Sequence, residues 1–295
     1  MQPSVWPILL LALTACNGAG STGSGSCAFP ALPASDCSPW LPPAAAGRSW
    51  DLTFSEEFSG ASYDPAKLTP CFDWNYGGCT GSFNQGREYY DAAQIQVSNG
   101  AAHLVAEPTS PPIASNACQN GSCTYLSGLL STARPRADNG SAYLYEFTYG
   151  YVEARLKLIG TQGFFTAFWM LPTDTTYTYR SEIDILEHLG HDVETMFMTY
   201  HYNNRSSSFA VNTGEGNNGA CPVQDYTADF HRFGIDWQPA HVAWYIDGIK
   251  CAQFDGNSST IENGPMQIIL DVMVDNTWQR DWNKGLLDST LVRDL

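Results

Sequence analysis

Positive charge is the scarcest commodity in this chain. Of 295 residues only 14 are Lys or Arg against 30 Asp or Glu, a formal charge of −16. Phosphate recognition needs clustered basic side chains, so nucleic acid is excluded as a partner and an anionic membrane surface with it. Charge of either sign is sparse, at 15% of residues, where roughly 25% is usual. Long apolar runs are missing too: the run over residues 7–13 falls well short of the ~20 residues that cross a bilayer. Extended amphipathic helical patterns are absent. What the chain does have is aromatic side chains, 13% of residues within a hydrophobic total of 43%. That composition excludes intrinsic disorder and supplies a large core.

Nine cysteines stand at positions 16, 27, 37, 71, 79, 118, 123, 221 and 251. The first closes the string Leu13-Thr14-Ala15-Cys16 behind the short apolar run. Residues 1–15 therefore read as a secretory signal peptide. The same string resembles a bacterial lipobox, which implies cleavage before Cys16 and lipidation of its sulfur. Without Cys16 eight cysteines remain, an even set suited to disulfides in an oxidising compartment. Sequence proximity favours Cys27–Cys37, Cys71–Cys79 and Cys118–Cys123, leaving Cys221–Cys251. The alternative is a plain cleaved signal with one odd thiol, since residues 1–7 hold no Lys or Arg.

Residues 17–26 are rich in Gly, Ser and Thr and residues 38–48 in Pro and Ala, compositions of a tether rather than a fold. The expected organisation is a signal over 1–15, a lipidated Cys16 with linker over 16–48, and one folded domain over 49–295. The protein is expected to be monomeric, secreted or at the cell surface, with membrane contact only through its lipid. The string Gly18-Ala19-Gly20-Ser21-Thr22-Gly23 spells a dinucleotide fingerprint but lacks the strand and helix that would give it meaning.

Within the domain, hydrophobic period two dominates. In residues 151–158, Val152, Ala154, Leu156 and Leu158 share one face, and Glu153, Arg155 and Lys157 the other. Asn99-Gly100 and Asp247-Gly248 each separate two apolar-patterned runs, the pairs that type I′ hairpin turns prefer. The pattern predicts an all-β sandwich.

The densest chemistry lies in Glu182-Ile183-Asp184-Ile185-Leu186-Glu187. In a strand Glu182 and Asp184 share a face, and regular alternation sends Glu187 to the other. One bulged residue between Asp184 and Glu187 would bring all three to one side. The two glutamate Cα atoms would then be roughly 13 Å apart, at about 3.3 Å per strand step. Long side chains leaning together could bring the carboxyls towards the ~5–5.5 Å of a retaining glycosidase. A solvated acidic face, a Ca²⁺ site or a short helix with Ile183, Leu186 and Leu189 on one stripe fit the six residues as well.

With its neighbours, this segment resembles the bulged E-x-D-x-x-E signature of glycoside hydrolase family 16. Phe54-Ser55-Glu56-Glu57-Phe58 resembles the family's opening segment, and residues 90–107 its first hairpin. Residues 149–155 resemble Y-G-x-x-E-A-R, and Ala167-Phe168-Trp169-Met170-Leu171 resembles A-F-W-M-L. Residues 230–237 with Trp244-Tyr245-Ile246-Asp247-Gly248 resemble the F-H…W…W-Y-x-D-G block. Together they cover roughly residues 50–280.

The resemblance implies a concanavalin-like β-jelly-roll of two antiparallel sheets with a concave cleft, and retaining endo-hydrolysis of a β-linked polysaccharide. It assigns Glu182 as nucleophile, Glu187 as general acid/base and Asp184 as the assisting carboxylate. Trp169 and Trp278 are the candidate sugar platforms, Trp169 being equally suited to the core, and His201 is expected near the acid/base. No cofactor is expected, though the family resemblance admits a structural calcium. His188 and His191 have the look of a metal pair, but no third ligand accompanies them and they read as loop histidines.

Several positions depart from the family pattern. Phe165-Thr166 stand where Trp-Pro is frequent, and residues 177–181 where Trp-Pro-x-x-Gly is. The final segment, residues 290–295, does not spell the usual closing strand, so the C-terminal strand is expected to be incomplete. The bulged signature favours β-1,3- or mixed β-1,3/1,4-glucan. The rivals are an agarase- or carrageenase-type galactan hydrolase, and a binding protein on the same fold.

Overall fold

The computed structural model describes residues 8–17, 41–43, 50–73, 84–135, 141–173, 181–214, 216, 218–281 and 285. Almost every regular element is a strand. The sheet that carries the acidic signature has six: β8 (Leu129–Ser131), β10 (Phe164–Pro172), β11 (Glu182–Leu189), β12 (Phe197–Tyr202), β13 (Ser207–Asn212) and β17 (Met266–Val274). They lie in the order β13-β12-β11-β10-β17-β8. Every neighbouring pair is antiparallel.

Against it packs a sheet of eight. Its strands are β1 (Ile8–Asn17), β2 (Asp51–Glu56), β4 (Ile95–Ser98), β5 (Ala101–Val105), β9 (Gly150–Lys157), β14 (His231–Gln238), β15 (His241–Ile246) and β16 (Ile249–Asp255). The order is β16-β15-β14-β9-β1-β5-β4, with β2 paired to β1. This is the jelly-roll sandwich that the alternation predicts. Both hairpin dipeptides form the expected turns, with φ of +53° and +73° at Asn99-Gly100 and +49° and +76° at Asp247-Gly248.

Alternation along single strands builds two apolar clusters. Phe164, Phe168 and Met170 of β10 point into the core between the sheets, with Val152, Ala154 and Leu156 of β9 facing them. The intervening Phe165, Ala167, Trp169 and Leu171 join Ile269, Met273, Phe72 and Tyr90 in a second cluster on the opposite face. Both faces of β10 and β17 are thus covered, which explains why neither strand alternates in polarity. Burying each large side chain contributes about 1.5–3 kcal/mol, so these two strands form the best-anchored part of the sheet. On the polar face of β9, Glu153 is buried and accepts from the Tyr151 hydroxyl at 2.9 Å and from Arg232 at 2.7 Å, whereas Arg155 is exposed.

A third, small sheet was not legible in the sequence. It consists of β3 (Glu88–Tyr90), β6 (Glu107–Ala114) and β7 (Ser122–Ser127), ordered β3-β7-β6. It lies against β17, where Glu88 Oε2 accepts the Val274 N–H at 2.7 Å.

The predicted Cys118–Cys123 and Cys221–Cys251 bridges are present, and Cys71 is disulfide-bonded. Cys27, Cys37, Cys79, most of the departure at 177–181 and the C-terminal residues 290–295 lie outside the described residues.

The segment expected as an export signal forms β1, paired with β2, β5 and β9. Strand and signal are alternative uses of one apolar stretch. Cleavage before Cys16 would take the first eight residues of this strand out of the sheet and open the facing edges of β5 and β9.

Candidate active site

The acidic signature forms β11, and the expected bulge is there. Against β10, Leu186 pairs with Phe168 while Asp184 pairs with the next residue, Trp169. Against β12, three steps from Asp184 to Glu187 face only two, from Thr199 to Phe197. Ile185 is therefore the extra residue. Its insertion sends Ile183, Ile185 and Leu186 into the inter-sheet core and leaves Glu182, Asp184 and Glu187 together in the lining of one cleft. The bulge is pinned from the other sheet, where Trp244 Nε1 donates to the Asp184 carbonyl at 2.9 Å.

The cleft encloses about 400 Å³. Trp169 lies in its floor, buried, with Nε1 donating to Asp271 Oδ1 at 2.9 Å. Trp278 is half-buried on the short helix α1 (Thr277–Asp281), edge-on to Phe165 at 5.2 Å and Phe197 at 5.4 Å. Phe165 itself lines the cleft, so the departure from Trp-Pro keeps an aromatic ring at this position. His201 stands across the ladder from Glu182, with Nε2 3.2 Å from Asp184 Oδ2. That places it at the Glu182 end of the signature, whereas Glu187 has Phe197 opposite.

Burial dominates the electrostatics. It pushes the Glu187 carboxyl well above the ordinary glutamate range, and the charges of Asp184, Glu182 and Asp271 add to the effect. Glu182 is raised to about 8 by burial and by Asp184, opposed by Arg205 and His201. Asp184 is raised to about 7 by burial, against its hydrogen bond with Glu182 and the charge of Arg205. Two carboxyls in hydrogen-bond contact cannot both ionise cheaply in a buried site, so the pair holds one proton between them near neutral pH. Burial also lowers the pKa of His201.

Two contributors escaped the sequence reading. Arg205 reaches the cleft from the β12–β13 turn and sets Nη2 2.8 Å from Glu182 Oε2. Its turn residues Asn203 and Asn204 have positive φ, and the Asn-Asn pair was a readable turn signal. Asp271 of β17 is fully buried and accepts from the Tyr90 hydroxyl at 2.8 Å as well as from Trp169. A single acid inside an apolar run was its only trace in the sequence.

His188 is no loop residue: it is buried on β11, its ring nitrogens 3.3 and 3.2 Å from the Thr195 and Ile159 carbonyls. It serves packing rather than metal binding. Ligand atoms of Glu182, Asp184 and His201 lie within 4.8 Å of one another, a span that one cation could bridge. Arg205 already supplies a positive charge there, and the shared proton satisfies the pair.

An antiparallel sandwich with a cleft, a buried acid whose proton affinity burial raises and a second carboxyl on the same strand face define the class: a glycoside hydrolase. Residues 128–288 match glycosyl hydrolases family 16, and the chain belongs to that family. A beta-glucanase from Rhodothermus marinus is 29% identical over 245 residues, covering 78% of this chain and 77% of the relative. An endo-1,3-1,4-beta-glycanase, EglC, from Rhizobium meliloti is 31% identical over 62% of this chain, which spans only 34% of that longer protein. Among solved structures, the endo-beta-1,3-glucanase of Pyrococcus furiosus superposes with a TM-score of 0.63 at 28% identity, covering 85% of this chain and 92% of its own. The laminarinase catalytic domain of Thermotoga maritima gives 0.62 at 27%, covering 82% and 92%.

Proposed function

We propose that this protein is an endo-acting, retaining hydrolase of β-1,3- or mixed β-1,3/1,4-glucan. The observation that carries the reading is the Ile185 bulge, which turns three carboxyls of one strand onto one cleft face. The two-carboxyl chemistry follows from their environments. Glu187, held protonated, donates its proton to the glycosidic oxygen as the bond to the anomeric carbon breaks. Glu182 attacks that carbon from the opposite side and forms a covalent glycosyl-enzyme. Attack requires an ionised Glu182, and Asp184 beside it is placed to hold their common proton while Arg205 favours the charged nucleophile. Glu187, now a carboxylate, takes a proton from water, and the resulting attack at the anomeric carbon releases the sugar and frees Glu182.

The substrate class rests on the relatives named beta-glucanase, endo-beta-1,3-glucanase and laminarinase, and on the aromatic rings that Trp169 in the floor and Trp278 beside it bring to the cleft for apolar sugar faces. Sulfated galactan fits less well. Among the described residues that line the cleft, Arg205 is the sole Lys or Arg, and it is engaged by Glu182. The chemistry needs no cofactor, so chelation is expected to leave the rate intact.

Export belongs to the same reading. Cys16 is the proposed lipidation site and a bacterial cell surface the proposed location, with the protein acting as a monomer. Labelling with a palmitate analogue is expected in the wild type and lost in Cys16→Ser; equal labelling of both rejects the anchor.

The activity test is reducing-sugar release by the full chain from laminarin, lichenan, agarose, carrageenan and xyloglucan. Release is expected from laminarin or lichenan, with none from Glu182→Ala. Glu187→Gln is expected to lose about 10²–10⁴-fold, the usual share of general acid catalysis. Release from agarose or carrageenan alone would move the protein to the galactan class. Retained hydrolysis in either variant would overturn the assigned roles.

A further inference from the structure

Behind the three carboxyls lies a fourth that the double-displacement scheme does not use. Asp271 and Glu187 both pair with Ala167 of β10, one from each side. Residues directly opposite in antiparallel strands point to the same face, so the two side chains stand on one face with only a methyl between them. Their Cα atoms are two strand spacings apart, about 10 Å. Asp271 is fully buried, and its two oxygens are divided between two ring donors, Trp169 Nε1 at 2.9 Å and the Tyr90 hydroxyl at 2.8 Å. A carboxylate held by two donors can keep its charge in a site that would otherwise neutralise it.

We propose that Asp271 is a positioning residue for the reaction, acting in two ways. It locks the Trp169 indole in the cleft floor, and it sets a buried negative charge beside Glu187 that favours the acid form of that residue. The proposal rests on the reading of Glu187 as the acid/base.

On β11, Glu182 and Asp184 press in the same direction as Asp271. From β3, Glu88 and Tyr90 face Asp271, both raised well above their ordinary values by burial, with the charge of Asp271 adding to the effect. From β12 and its turn, His201 and Arg205 act at the Glu182 end. On β10 and β8 the residues paired with Asp271 are Ala167 and Leu129, which carry none. Asp271 itself is raised by burial, with both ring donors opposing, to about 6. It is therefore ionised before Glu187 titrates, the order that the coupling requires.

The test does not depend on turnover. Asp271→Asn keeps the shape and an oxygen for the indole but removes the charge. In protein with ¹³C-labelled glutamate carboxyls, the Glu187 resonance, assigned by its loss in Glu187→Gln, is expected to titrate about one pH unit lower in Asp271→Asn. That is the size for a charge at this separation in an effective dielectric of about 20. The alkaline limb of kcat/KM is expected to move with it. A purely structural Asp271 would lower the melting temperature and leave this titration in place, and an unmoved titration overturns the charge role.

The lock is read in the wild type: the Trp169 indole N–H resonance is expected to follow the ionisation of Asp271 near pH 6. Tyr90→Phe, which removes one donor and no charge, is expected to shift that midpoint upward. An indole signal flat across the range, or a midpoint unchanged in Tyr90→Phe, overturns it. Failure to cleave any glycan would count against the proposed function while these titrations still judge Asp271.

Discussion

At the scale of single residues, function here is set by how strongly each carboxyl is kept from ionising. Folding buries Glu187 and raises its affinity for a proton. The native protein therefore holds more protons than the unfolded chain from the ordinary glutamate pKa up to the raised one. Stability falls as pH rises through that window and stays lower above it. Glu187→Gln removes this loss. Its melting temperature is expected to match the wild type near pH 4 and exceed it by a few degrees near pH 8, at ~2–4 °C per kcal/mol for a domain of this size; calorimetry at the two pH values checks it. Arg205 offers the opposite case, since its charge lowers the pKa of Glu182. Arg205→Ala should raise it and move the acid limb of kcat/KM to higher pH, and an unmoved limb would show that the ion pair is irrelevant to turnover. The three acids were legible because a spacing of two then three is odd for a strand. Arg205 and Asp271 were not, because lone charges in a sequence reveal their partners only once distant strands are paired.

At the scale of elements, the bulge in β11 matters most, and its support comes from elsewhere in the fold. The Trp244 indole crosses from β15 to the Asp184 carbonyl, so a residue that the sequence shows only within the W-Y-x-D-G block also fixes where the signature bends. Trp244→Phe leaves that buried carbonyl short of a donor, which costs about 1–3 kcal/mol. The expected result is that stability loss in urea unfolding together with a lower kcat. Deleting Ile185 leaves Glu182, Asp184 and Glu187 at alternate positions of an unbulged strand, so all three stay on the cleft face while one buried core side chain is lost. Hydrolysis is expected to survive at reduced stability; its loss in a variant that still folds would show that the bulge sets more than the face on which Glu187 stands. The hairpins at Asn99-Gly100 and Asp247-Gly248 were readable because left-handed turns demand particular residues. The small third sheet was not, since the three residues of β3 give no period and its parallel partner β7 lies more than thirty positions away.

At the scale of the molecule, the sandwich was legible as alternation, but the pairing order of its sheets was not. The most consequential case is β1, whose first eight residues read as part of an export signal and whose ten residues fold as a strand inside the larger sheet. Removing β1 takes a partner from β2, β5 and β9, so a chain lacking residues 1–17 is expected to melt below the full chain; equal melting temperatures would mean that the sheet closes without β1. The sandwich as a whole presents its concave sheet to a polymer, and the central claim is that this surface cleaves β-glucan with retention through Glu182. The most direct measurement is the proton NMR spectrum of the first products released from laminarin or lichenan, recorded before mutarotation. The double displacement predicts the β-anomer first, with the α-anomer growing in later. An α-anomer at the earliest time would mean single displacement and would contradict the role of Glu182 as nucleophile.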